Sequence, residues 1–327
     1  MSDMTLLDAI NRALFFEMSN DENVVVLGED VGVNGGVFRA TAGLQHEFGV
    51  KRVMDTPLAE ALISGLAIGM STQGLKPVVE IQFMGFLFPA LEHLICHAAR
   101  MRNRTRGRLS CPMVLRTPCG AGIHAPEHHS ESTEALLAHI PGLRVVIPSS
   151  PLRAYGLLLA AIRDPDPVVF LEPTRIYRTV SQPVKDDGIA LPLDICFTLR
   201  EGSDITLVSW GACIPDTLAA AKQLEDEHNI HAEVIDVATI SPLDMETIQY
   251  SVAKTGRCVI VHEATRSHGV GAEIAAQLVE KSLLDLQAPI VRVTGYDTVI
   301  PYSQNEYSFM PDKTDIVEAA LKTVNFS

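Results

Sequence analysis

Short β-branched apolar runs, separated by helix-length amphipathic stretches, recur along this chain and restrict its fold more than any other feature. In the first half they are Val24-Val25-Val26-Leu27, Val78-Val79, Val145-Val146-Ile147 and Val168-Val169-Phe170-Leu171. Strands that are apolar at every position, rather than at alternate ones, have both faces covered. That is the mark of a parallel sheet between two helix layers. Helical spacing lies between the runs. Leu6, Ile10 and Leu14 form one stripe behind the cap residue Thr5, and residues 151–164 form a further helix. The pattern thins from Glu172 to Gly202, where Pro173, Pro183, Gly188 and Pro192 intervene. It resumes with strands at 204–209, 231–236, 257–262 and 290–294 and helices at 213–228, 244–254, 271–284 and 313–323. The expected fold is α/β with two doubly wound domains, 1–185 and 201–327, joined by a linker at 186–200. A length of 327 residues suits two cores better than one.

Composition narrows the function classes. Forty acidic against 26 basic residues leave a net charge of -14. That balance argues against nucleic acid and favours a basic protein partner. A hydrophobic content of 47% with 20% charged residues excludes a disordered chain. No apolar stretch approaches the roughly 20 residues of a membrane span. The N-terminus lacks a basic segment followed by an apolar run. The six cysteines form no CxxC pair. The expected setting is the reducing cytoplasm, away from membranes.

Several enzyme signatures are missing. There is no phosphate loop ending in Gly-Lys-Ser/Thr and no Gly-x-Gly-x-x-Gly after the first strand. His93 and His97 lack the intervening glutamate of a zinc protease and read as ordinary residues of a long helix, 86–106. Arg100, Arg102, Arg104, Arg106 and Arg108 along that helix suggest inter-subunit ion pairs. Two features point to chemistry. Asp55-Thr56-Pro57-Leu58-Ala59-Glu60 opens an apolar helix, with Thr56 expected as its cap and Pro57 as its first residue. Glu60 then sits in or just past the first turn, one position too far for a capping box. A helix apolar on every side is expected to be buried all round. Its carboxylate must find a partner or take up a proton, unless it only complements the helix dipole. The second feature is Gly120 to Glu131, with three histidines and two glutamates between residues 124 and 131. It follows a strand, where open α/β sheets bind ligands, and its side chains suit proton transfer or metal binding.

Five motifs then occur in order: Gly28-Glu29-Asp30-Val31-Gly32, the Asp55–Glu60 hexapeptide, Glu80-Ile81-Gln82-Phe83, Pro126-Glu127-His128-His129-Ser130 and Pro141–Pro148. Together with Ser241-Pro242-Leu243-Asp244 and Pro289–Val293, they closely resemble the beta subunit of the thiamine-diphosphate-dependent 2-oxo acid dehydrogenases. The resemblance implies a thiamine-diphosphate pyrimidine-binding domain followed by a transketolase C-terminal-like domain. It implies an alpha2-beta2 heterotetramer whose alpha subunit holds the diphosphate through magnesium. Glu60 is the residue expected to hydrogen-bond the aminopyrimidine and promote its imino form, the cofactor acting as electron sink. Phe86 is expected near the pyrimidine, with Gln82 and Leu58 as further pocket residues. Glu29 resembles an acid lying between two active sites. His129 is the expected guide of acyl transfer to lipoyl-lysine, with His128 as competitor. A structural potassium is implied at Met113, Ala161, Ile162, Asp164 and Asp166, by alignment alone. The C-terminal domain is expected to pair beta subunits and to dock the dihydrolipoyl acyltransferase core.

The activity so implied is oxidative decarboxylation of pyruvate with acetylation of the lipoyl-acyltransferase, linking glycolysis to acetyl-CoA. A branched-chain 2-oxo acid or acetoin dehydrogenase subunit is the second reading; Phe86, where some branched-chain enzymes carry tyrosine, leans toward pyruvate. A non-catalytic assembly subunit is a third, and an NAD dehydrogenase is disfavoured by the missing dinucleotide fingerprint.

Overall fold

A computed structural model describes residues 2–326 and places the apolar runs at the centre of two sheets. The strands of the first half are β1 (Ser2–Thr5), β2 (Val24–Gly28), β3 (Val53–Asp55), β4 (Lys76–Glu80), β5 (Val114–Cys119), β6 (Arg144–Val146), β7 (Val168–Pro173) and β8 (Ser181–Val184). Every residue of β2, β5 and β7 is buried, as runs apolar at each position require. β3 to β7 and β2 pair in parallel, while β1 and β8 form a separate antiparallel pair. Helix Leu6–Asn20 starts at a capping box between Thr5 and Asp8, and helix Pro151–Arg163 is capped by Ser150. These two helices pack together over one face of the sheet.

The second half supplies β9 (Phe197–Arg200), β10 (Ile205–Ser209), β11 (Ala232–Asp236), β12 (Thr239–Ser241), β13 (Cys258–Thr265) and β14 (Val291–Gly295). Five of these form a sheet in the order β14-β13-β10-β11-β9, with only β9 antiparallel. β9 lies inside the segment read as linker. β12 leaves its own domain and pairs antiparallel with β6, making the first sheet β12-β6-β7-β5-β4-β2-β3. The two domains also share one apolar core, in which Leu115, Ile147 and Leu171 join Trp210, Ile235 and Ile260. No helix of the described residues is long and apolar enough to cross a membrane.

The expected helix over 86–106 is broken. A 3-10 stretch, Met84–Ala90, is followed by a single α-turn, a wide π-turn at Leu94–Ala98 and a short helix, Met101–Arg104. Pro89 lies inside the first piece, where it has no N–H to donate. Arg102 pairs with Asp166 of its own chain at 2.7 Å, a within-chain partner for one of the arginines expected to reach between subunits. The rings of His93 and His97 stack at 5.8 Å.

One charge is buried at the middle of the first sheet. Arg116 of β5 donates to both carboxylate oxygens of Glu172 on β7, at 2.7 and 3.1 Å, and to Glu80 on β4 at 3.0 Å. Tyr177 adds a 2.6 Å bond to Glu172. Burial works against the guanidinium charge, and Glu172 and Glu80 more than offset it. Arg116→Met strands two buried carboxylates and is expected to lose about 3–5 kcal/mol of unfolding free energy. Denaturant titration of the isolated chain measures this; a loss below roughly 1 kcal/mol contradicts the picture.

Glu134 is a further buried acid, packed between the domains, with Trp210 Nε1 donating to it at 3.3 Å. Burial pushes its carboxyl up to about 7, against an ordinary 4.5. The folded chain therefore binds this proton more tightly than the unfolded one. Its stabilisation is fully present below about pH 4.5 and is lost as pH rises through about 7. Glu134→Gln keeps an acceptor for Trp210 and is expected to gain Tm over the native chain at pH 8 but little at pH 5. Calorimetry giving the same difference at both pH values refutes this.

Candidate active site at the carboxyl edge of the first sheet

The chain leaves β2 toward β3 on one side, whereas β4 leads to β5 on the other. Between β2 and β4 the order reverses, and open α/β sheets bind ligands beyond the carboxyl ends of strands at such a point. Glu29 follows β2, Leu58 and Glu60 follow β3, Gln82 and Phe86 follow β4, and His129 lies in the loop after β5. These six candidates thus gather on one edge of four neighbouring strands. The register aligns them, with Gly28 opposite both Asp55 and Glu80.

The start of the Glu60 helix differs from the expectation. Thr56 donates its backbone N–H to Gly28 O at 3.0 Å, so residue 56 still runs beside β2. The helix is Glu60–Thr72, preceded by Ala59, and neither Thr56 nor Pro57 caps it. Glu60 is therefore its first residue, at the positive end of the dipole. The helix is not buried all round. Ile63, Ser64, Ala67 and Ile68 face the core, while Leu62 and Leu66 are 52% and 42% exposed and Leu58 is 80% exposed. Glu60 is half-buried, and its carboxylate has no hydrogen-bond partner among the described residues.

The buried acid here is Glu29, only 6% exposed, with Oε1 unpartnered. Burial raises its carboxyl first, and the charges of Glu60 and Asp30 raise it further. The acid expected to be buried alone thus has a neighbour: Glu29 is enclosed, and half-buried Glu60 lies close enough for its charge to act on it. Asp55 secures the loop beside it by accepting from Gly32 N–H at 2.7 Å. Gly36 comes so close to Glu80 that a Cβ there falls 2.4 Å from the carboxylate.

Aromatic rings form the next wall. Phe83, not singled out from the sequence as a pocket residue, lies 4.0 Å from the His129 ring and 5.8 Å from Phe86. Phe86 in turn is 5.2 Å from His129 and 5.8 Å from His128. Burial lowers the His129 pKa, and His128 lowers it further, so the imidazole is neutral at neutral pH. Its Nδ1 is buried without a partner. Gly85 admits this contact, because a Cβ there meets His128 O at 2.3 Å. An orphaned imidazole nitrogen, an orphaned carboxylate oxygen and an outward carboxylate on one edge fit an aminopyrimidine-like ligand carrying donors and acceptors.

Met113, Ala161, Ile162, Asp164 and Asp166 lie at the opposite, amino edge of the sheet. Val168 N–H bonds Met113 O at 3.0 Å, and Arg144 and Arg102 occupy oxygens of Asp164 and Asp166 at 3.1 and 2.7 Å. Among the described residues no group of three or more His, Cys, Asp or Glu is placed to hold a metal. A cavity of about 570 Å³ lies beyond the Glu127–Thr133 segment, against Glu263, Asp297 and Phe309 of the second domain. Glu60 does not line it.

Comparison with known proteins agrees with this architecture. The transketolase pyrimidine-binding domain family matches residues 2–180, and the transketolase C-terminal domain family matches residues 196–316. A Bacillus subtilis (strain 168) protein named pyruvate dehydrogenase E1 component subunit beta is 48% identical over 326 residues, covering 100% of both chains. One of the same name from Acholeplasma laidlawii is 51% identical over 316 residues, covering 97% of this chain and 96% of its own. A solved structure described as a split gene transketolase, inactive beta4 tetramer, shares the fold with a TM-score of 0.81 at 24% identity, covering 98% of each chain.

Proposed function

This chain belongs to the beta subunits of the thiamine-diphosphate-dependent 2-oxo acid dehydrogenases, and we propose that, paired with an alpha subunit, it performs oxidative decarboxylation of pyruvate and acetylation of a lipoyl-bearing acyltransferase. The observation that carries this reading is half-buried Glu60 beside buried Glu29, whose Oε1 has no partner among the described residues, on the same edge as His129, whose Nδ1 is likewise unpartnered. The full-length relatives named for pyruvate dehydrogenase support pyruvate over a branched-chain 2-oxo acid or acetoin.

When bound, thiamine diphosphate supplies the electron sink for loss of carbon dioxide. This chain's part is to hold the pyrimidine end and control protons there. Glu60 would hold the pyrimidine end through a hydrogen bond to a ring nitrogen, with Glu29, its carboxyl raised by burial and by Glu60, behind it. Phe86, Gln82 and Leu58 form the apolar and amide walls. Neutral His129, its Nδ1 free, is the group that guides acyl transfer to the lipoyl arm. The diphosphate and magnesium are assigned to the alpha subunit. Exposed Leu58, Leu62 and Leu66 around Glu60 support a face that another chain covers.

We extend the proposal to a potassium ion at the amino edge, near the carbonyl end of helix Pro151–Arg163, where Ala161 O accepts from Asp164 N–H at 3.3 Å. The net charge of -14 supports docking of a basic acyltransferase module. Co-expression with the alpha subunit, with and without potassium and acyltransferase, tests both through tetramer stability and complex formation. Absence of any change rejects them.

Glu60→Gln is expected to leave the tetramer assembled while decarboxylation falls by at least about a hundredfold. Unchanged turnover sinks the catalytic role and leaves an assembly subunit. His129→Ala is expected to impair lipoyl acetylation more than decarboxylation read with an artificial electron acceptor. Equal losses in both assays count against its role.

A further inference from the structure

We infer that Glu306 and Glu263 of the second domain are positioning residues that set the 120–132 loop and, through it, the place of His129; this rests on the role proposed for His129. The loop is short of regular structure, with a single 3-10 turn at Glu127–His129. Glu306 is buried and works as a fork. Its Oε1 accepts from Gly122 N–H at 2.7 Å, and its Oε2 accepts from His124 N–H at 3.0 Å. The same Oε2 lies 2.7 Å from His124 Nδ1. His124 has a left-handed backbone, φ 58°, and Gly122 has φ 101°. A side-chain-bearing residue persists in that region only where its surroundings hold it, and Glu306 provides the hold.

Glu263 secures the two feet of the loop. Its Oε1 accepts from Ala121 N–H at 3.1 Å and from Ser132 Oγ at 2.9 Å. Gly120, at φ 84°, makes this approach feasible, since a Cβ there lies 2.1 Å from that oxygen. The Tyr307 ring meets His124 edge-on at 5.2 Å. Between these anchors the loop presses His128 and His129 against Gly85, Phe83 and Phe86. Both feet are thus clasped by the second domain, and the stretch between them delivers the imidazole to the first. Neither glutamate touches His129, so both act through the backbone between.

The test uses the assembled enzyme with its alpha subunit, thiamine diphosphate and a lipoylated acceptor domain. Glu306→Ala is expected to lower kcat for lipoyl acetylation about tenfold or more, because small misplacements of a reacting group cost that much. The KM for pyruvate is expected to stay within about twofold and dye-linked decarboxylation to fall much less. Glu306→Gln retains one acceptor oxygen and is expected to recover part of the loss. Gly120→Ala, which disturbs the Glu263 contact instead, is expected to show the same selectivity. Equal falls in both assays, with Gln no better than Ala, overturn the inference. Hydrogen exchange supplies a readout independent of activity. Amides of residues 121–131 are expected to exchange faster in Glu306→Ala while the rest of the chain is unchanged, and unchanged loop exchange overturns the clasp. If the unaltered tetramer acetylates no lipoyl acceptor, the functional reading fails, and exchange alone decides the clasp.

Discussion

A single buried guanidinium governs the geometry of the first domain. Arg116 sits on the middle strand and binds carboxylates on both neighbours, Glu80 on β4 and Glu172 on β7. Each partner alone carries a prohibitive desolvation cost; together they are tolerable only in one relative placement of the three strands. Glu80 is the last residue of β4, and Gln82, Phe83 and Phe86 leave from it. The Gly36 backbone rests against the same carboxylate, which ties the loop after β2 to it. A charge cluster in the sheet therefore fixes where the site loops begin.

From that anchored edge the site is assembled by contributions that look unrelated along the chain. Glu29 is enclosed, and its charge is coupled to the outward Glu60. The histidine loop comes from β5 but is gripped by carboxylates from the second domain. The shared apolar core and the β12–β6 pairing make that grip rigid, because the domains cannot rotate independently without exposing Leu115, Ile147 and Trp210. The exposed leucines of the Glu60 helix mark the side where this chain ends its own contribution.

Much of the fold was legible in advance where local chemistry and packing agree. Runs such as Val24–Leu27 became fully buried strands, and Thr5 caps its helix with its own side chain. Legibility failed where a non-local contact outweighed local preference. Thr56-Pro57 is a good helix start by itself, but the Thr56 N–H is claimed by Gly28 O. The stretch after Phe86 has helical spacing, yet Pro89 and the turns around it break the ladder. β12 is too short to announce itself, and only β6 makes it a strand.

The sequence by itself determined the two-domain alternation, because strand periodicity is a property of the linear chain, and its motifs carried the resemblance from which the site residues are expected. Only the tertiary structure decided how those residues behave. It made Glu29 the enclosed acid and Glu60 the outward one, left Leu62 and Leu66 exposed on a helix apolar all round, and set His129 neutral against Phe83. Burial, charge coupling and hydrogen-bond partners depend on which distant segments meet. Carboxylates at positions 263 and 306 meet a loop near 122 only once both sheets are folded and docked.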